Sequence, residues 1–176
     1  MPRFDATTAR CQVLTFKEGL LSAIAHDLSI RVERFTIDLR DDPDDGISIE
    51  ARFDASSLRV EHAMKDGRPD PSALSAKQRR DIEKNIDKDV LHVRRHPEIV
   101  FRSTAVQGED DQRRVTGTLG LHGTERTVHV VARRSGDRWS TEVQLHQPDY
   151  GIVPYSAMLG TLKVRPDVRV VLSLPA

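Results

Sequence analysis

Seven histidines and one cysteine are the side chains of this chain most suited to holding a metal or moving a proton. His92 and His96 stand four apart in HVRRH, a spacing that on a helix sets two imidazoles on one face, as zinc sites require. No glutamate lies between them, and Pro97 follows at once, so the second imidazole falls beyond the helix end. His26-Asp27 has the two letters of a phosphohydrolase dyad. Such dyads sit on helices with further ligands on other helices, and only one helix is legible here. A histidine at a strand mouth, bonded to its neighbours, is the plainer reading. His122 and His129 fall on or near a hairpin, on the face opposite its leucines, and so point outward. Cys11, beside Val13 and Leu14, reads as a small core residue rather than a nucleophile. No Gly-x-Ser-x-Gly is present, and Gly117 and Gly120 lie inside a strand pattern whose amides belong to a ladder rather than to a phosphate. A non-enzymatic protein without a cofactor is expected.

What must position these side chains is a set of β-strands. Val115, Gly117, Leu119 and Leu121 alternate with polar or small residues, Gly123 marks a reversal, and Val128, Val130 and Ala132 alternate again, which is a β-hairpin. A hairpin cannot bury its apolar face alone, so other strands must join it. They are legible at residues 8 to 16, from Ile47 to Phe53, in a short strand that FDASSLRVEH enters through a turn and that ends near His62, from Glu98 to Val106, at Trp139 to Leu145, at Ala157 to Val164 and at Val168 to Leu174. The segment Lys17 to Asp27, with Leu20, Leu21 and Ile24, suits a short helix or an irregular crossover. Between Ser29 and Arg40 the apolar parity changes from Ile30 and Val32 to Phe35, Ile37 and Leu39, which predicts a bulge or strong bend near Glu33-Arg34. Turns fall at 41–46, at 108–111, at Gly123, at 136–137, at 148–149 and at 166–167, and 64–71 reads as an exposed loop. Ser75 with Gln78 three positions on is a capping box, and Ile82, Ile86 and Val90 recur every four residues, so one helix is predicted over about 75–91. The bent strand and the glycines favour an all-β antiparallel barrel over a flat sandwich.

Composition removes several classes of partner. Lysine plus arginine equals aspartate plus glutamate, 27 each, and aromatic residues are 5% of the chain, so neither counterion release nor base stacking supports nucleic-acid binding. The pairs Arg79-Arg80, Arg94-Arg95, Arg113-Arg114 and Arg133-Arg134 read as solvated strand or helix ends. No run approaches the roughly 20 apolar residues of a membrane-spanning helix. At 176 residues a single domain over 1–176 is expected. The start MPRFDATTARC has no apolar core of the kind a secretory leader needs, so a cytoplasmic location is expected. Exposed ladder edges would allow a homodimer.

In order along the chain, FDASSL from Phe53 to Leu58, DVLHVRRHPEIVFRST from Asp89 to Thr104, GTLGLHGTERTV from Gly117 to Val128, and DYGI followed by LKV resemble the YceI-like family. Pro97, Ile99, Phe101 and Ser103, and then Leu121, Gly123 and Thr124, carry its pattern. The resemblance implies an extended, lipocalin-like antiparallel barrel of about eight strands with a helix beside it, holding a polyisoprenoid or fatty chain in its interior.

Elementary energetics make such carriage reasonable. Each buried methylene contributes about 0.8 kcal/mol against an association cost of roughly 4–15 kcal/mol, so long chains bind where short ones do not. Inward parity nominates Phe35, Ile37, Ile49, Phe53, Phe101, Leu119, Leu121, Val143, Leu145 and Met158 as the lining, with His26 or Tyr155 as donors to a head group at the mouth. Two rival readings stand beside this one. The first is an enzyme with an acid-base or metal site at His26-Asp27. The second is an interaction module with a solid core, which a cavity larger than roughly 300 Å3 would exclude.

Overall fold

The computed structural model describes residues 2–19 and 25–176. Leu20, Leu21 and Ile24, on which the reading of the segment after Lys17 turned, lie outside the described residues. In chain order the strands are β1 (Arg3–Asp5), β2 (Arg10–Thr15), β3 (Lys17–Glu18), β4 (Asp27–Val32), β5 (Phe35–Asp42), β6 (Gly46–Asp54), β7 (Leu58–Lys65) and β8 (Arg68–Asp70). The helix α1 (Ala76–Asn85) follows. Then come β9 (Glu98–Gln107), β10 (Gln112–Leu121), β11 (Thr124–Ser135), β12 (Arg138–His146), β13 (Ser156–Ala157), β14 (Leu162–Val164) and β15 (Asp167–Pro175). Twelve of these form one sheet in the order β1-β5-β6-β9-β10-β11-β12-β15-β2-β4-β7-β8, while β13, β14 and β3 make a separate three-stranded ribbon. Every paired neighbour is antiparallel.

The sheet curls strongly but is less regular than a closed eight-stranded barrel. Among the described residues no ladder joins its outer strands β1 and β8. The extra strands are the three-residue edges β1 and β8 and a division of the predicted long strand into two. That division falls at Glu33-Arg34, where the parity changes. It is a corner, not a bulge: β4 pairs with β7, whereas β5 pairs with β6. The corner is fastened by fully buried Ser57, whose hydroxyl accepts from the Arg34 amide at 3.1 Å and donates to the Asp54 carbonyl at 2.8 Å. The Glu33 amide donates to the Ser57 carbonyl at 3.0 Å. A buried hydroxyl with both roles filled holds two strand switches together without leaving a polar orphan.

The helix begins as its capping box predicts. Ser75 Oγ accepts from the Gln78 amide at 3.2 Å and Gln78 Oε1 accepts from the Ser75 amide at 2.8 Å. It widens over Ile86–Val90, where the Leu91 amide reaches the Ile86 carbonyl at 2.8 Å, five residues back. β8 pairs only with the far end of β7, Ala63–Lys65, and α1 lies along the part left open. There Glu83 accepts from the Val60 amide at 2.9 Å. The helix thus covers an edge that would otherwise be free to recruit another strand.

A second irregularity bears on the interior. β11 and β12 pair only where Ala132–Ser135 meets Arg138–Thr141. Beyond that the two strands part, and the turn Gln147–Tyr150 sits beside β11, with Arg126 Nε donating to the Asp149 carbonyl at 3.1 Å.

Candidate ligand cavity

Alternation sends one set of side chains from β2, β5, β6, β9–β12 and β15 into a shared interior, and that interior is hollow. It encloses a cavity of about 490 Å3, with Ile86, Val90 and Leu91 from the helical segment also in its wall. Toward the helix its walls are tightly packed: Leu58, Leu119 and Leu121 and, on the turn after β12, Ile152 are all buried. Elsewhere the inward apolar side chains, among them Val130, Val143, Val170 and Leu174, are only half-buried although strands surround them. Their remaining exposure is to the hollow. A solid core is thereby excluded.

Of the residues nominated for the lining, Ile37, Ile49, Phe53, Phe101, Leu119, Leu121, Val143 and Leu145 border the cavity. Phe35 does not. It shares the parity of Ile37 but sits at the corner, buried, with its ring centroid 5.6 Å from that of Phe53, and so backs the wall rather than forming it. Met158 is 59% exposed, because the expected strand from Ala157 to Val164 is interrupted by a turn at Met158–Gly160 and its remnants belong to the outer ribbon. His26 and Tyr155 lie off the wall. The Tyr155 hydroxyl instead accepts from Asn85 Nδ2 at 3.0 Å, tying the ribbon to the helix.

The wall has few polar members. Thr15 Oγ1 is buried and has no partner among the described residues. Gln147, 8% exposed, donates from Nε2 to the Arg165 carbonyl at 3.0 Å. Among the described residues Arg113 is the only charged member of the wall, and its guanidinium carbon lies 5.3 Å from the centroid of the Trp139 ring. In the sequence Arg113 is half of an arginine pair and reads as a solvated end. The overlooked signal was its parity, which is that of Val115, Gly117 and Leu119.

Where their contacts are defined, the candidate catalytic groups bond to backbone, to a hydroxyl or to one another. Asp27 Oδ1 accepts from the Lys17 amide at 2.7 Å, securing β3 rather than partnering His26. His129 is exposed, 3.1 Å from the Thr116 hydroxyl. His122, expected to point outward, is half-buried and joins His92 and His96 in a cluster. Its Nε2 lies 2.9 Å from His92 Nδ1, its Nδ1 lies 3.2 Å from the Tyr150 carbonyl, and its ring is centred 4.4 Å from that of His96. Burial holds the His122 pKa below its ordinary value, and the two neighbouring imidazoles act in the same direction against the opposing Tyr150 carbonyl. The cluster fastens the segment after the helix to the β10–β11 turn. Among the described residues no group of three or more His, Cys, Asp or Glu is placed to hold a metal. Burial pushes the Cys11 thiol up to about 12, far from the range of a reactive thiolate.

Comparison with known proteins follows the same lines. A family model described as YceI-like domain matches residues 6–176. No curated protein matches. Among solved structures, BcnA of Burkholderia cenocepacia superposes with a TM-score of 0.66 at 15% identity, covering 96% of each chain. The Campylobacter jejuni YCEI protein gives 0.62 at 12% identity, over 84% of this chain and 82% of that one. A polyisoprenoid binding domain from Saccharophagus degradans gives 0.61 at 13% identity, over 99% and 97%. At these identities the likeness is one of fold. No helix among the described residues is long and apolar enough to cross a membrane.

Proposed function

The chain belongs to the YceI-like family, and from that premise we propose that it binds a long-chain amphiphile, a polyisoprenoid or fatty-chain lipid, in the hollow of its sheet and does not transform it. The observation that carries this reading is the cavity of about 490 Å3 with a wall that is almost wholly apolar. Its size falls within the roughly 300–1,000 Å3 usual for ligand pockets. The likeness in fold to a polyisoprenoid binding domain supports the choice of ligand class.

The energetics favour a long tail over a compact ligand. A wall of aliphatic side chains offers little directional bonding, so affinity must come from desolvated methylenes at about 0.8 kcal/mol each. The first several only offset the cost of association, roughly 4–15 kcal/mol. Affinity should therefore rise steeply with chain length and level off when the hollow is full. Catalysis has no support of comparable weight, since the histidine cluster and Asp27 are engaged in holding loops and strands.

Native mass spectrometry of freshly purified protein, followed by titration with prenyl alcohols of increasing length, tests the reading. A co-purifying apolar adduct and uptake that strengthens with length are expected. Protein that carries no lipid and takes up no prenyl or acyl chain of any length would refute it.

A further inference from the structure

Resting on that reading of the hollow, we propose that Arg113 and Trp139 form its head-group site, and that the head recognised there is an oxyanion, a carboxylate or phosphate joined to the buried chain. Arg113 lies at the start of β10, opposite Ala132, which in turn faces Thr141. Trp139 lies at the start of β12, opposite Leu174 near the end of β15. The two therefore stand where the β9–β10 and β11–β12 turns gather, at the end of the sheet where the wall residues Ala132 and Leu174 are only half-buried. A head placed at this end lies beside the one cation that the described wall residues supply.

The guanidinium is prepared for such a head. Nη1 donates to the backbone carbonyls of Asp110 at 3.2 Å and Gln112 at 3.1 Å, which fixes the plane of the group over the indole. Among the described residues no carboxylate lies within ion-pair distance of Arg113, although many other arginines have such a partner. Neither Nε nor Nη2 has an acceptor there, and these form the edge that grips a carboxylate or phosphate with two parallel bonds. A half-buried arginine on an apolar wall loses hydration, and an anion threaded in with its own tail would restore what was lost. The adjacent indole excludes water from one face of the pair and strengthens it.

Trp139 is the only tryptophan of the chain, so its fluorescence reports on this corner alone. The test titrates the whole protein with geranylgeraniol and geranylgeranyl monophosphate, and separately with hexadecanol and palmitate. Fluorescence and native mass spectrometry serve as parallel readouts. The anion of at least one pair should bind about 10- to 100-fold more tightly than its alcohol, as expected for hydrogen bonds to a charged group. The pair showing the preference identifies phosphate or carboxylate as the head, and a preference in both marks the shared chemistry. Arg113→Met should abolish the preference, and uptake of the alcohols by the variant, at whatever affinity, shows that it is folded. Arg113→Lys, keeping the charge but losing the two-pronged edge, should retain only part of it. Equal binding of anion and alcohol by the native protein, or a preference that survives in Arg113→Met, would overturn the proposal and leave chain binding standing. Failure of all four probes would remove chain binding itself, and this site with it.

Discussion

The ring of Phe101 on β9 lies across the backbone of Gly117 on β10, at the point where the two strands slip register. A Cβ at Gly117 would run into Phe101 Cζ and would come within 2.5 Å of the Arg102 carbonyl oxygen. The glycine is thus set by close approach rather than by an unusual backbone angle. Gly117→Ala should cost about 1–3 kcal/mol, the usual range for overpacking, read as a lowered urea midpoint. Truncating Phe101 to leucine in the same chain should recover part of that loss, whereas strictly additive effects would show that the ring is not the obstacle.

Val170 sits mid-strand on β15, between Val143 on one side and Val13 on the other, and all three border the hollow. Val170→Trp adds volume where there is space, so it should escape the penalty that overpacking brings in a solid core. We expect thermal stability equal to or above the parent and uptake of prenyl chains reduced at least about tenfold, because the path of the tail is blocked. Unchanged uptake would place the chain elsewhere.

His122 should give the fold a dependence on acidity. Because the His122 pKa lies below the ordinary 6.5, the unfolded chain binds its proton at a higher pH than the folded one does. Between those two values the unfolded state carries more protons, so stability is fully present above 6.5 and declines as pH falls toward the folded value. His122→Asn removes the titration yet suits the left-handed backbone there, φ 53°. Its urea midpoint should change less than that of the parent between about pH 5 and 8, and parallel curves would assign the acid dependence to other groups.

Cys11 is 2% exposed, with its thiol pushed up to about 12 by burial. Iodoacetamide near pH 8 should leave the native protein unmodified and alkylate it completely in denaturant, since only the thiolate reacts. Rapid labelling of the folded protein, followed by mass spectrometry, would contradict this. The result matters for probe design, because Cys11 borders the hollow and its neighbours can then be labelled selectively through introduced cysteines.

Legibility from sequence followed the range of the forces involved. The capping box at Ser75 and Gln78 is local, and both of its bonds form. The change of parity near Glu33-Arg34 correctly located a break, but one residue string cannot say whether a strand bulges or changes partners. That depends on Ser57, which arrives from more than twenty residues away. Alternation placed Ile49, Phe101 and Leu145 on the wall because period-2 geometry leaves them no other face. It misplaced Met158, where a turn interrupts the pattern, and Phe35, where a corner sets one inward ring behind another. Charge overrode parity in the reading of Arg113. The histidine cluster was invisible for a different reason, since His92 and His122 meet only through the fold.

The hollow has a mechanical consequence. Unfolding would hand its space back to water, and the volume lost in doing so grows with the void that is eliminated. Hydrostatic pressure should therefore collapse an empty molecule of this kind more readily than one threaded by a tail. Compressibility would then tell loaded from vacant without any label.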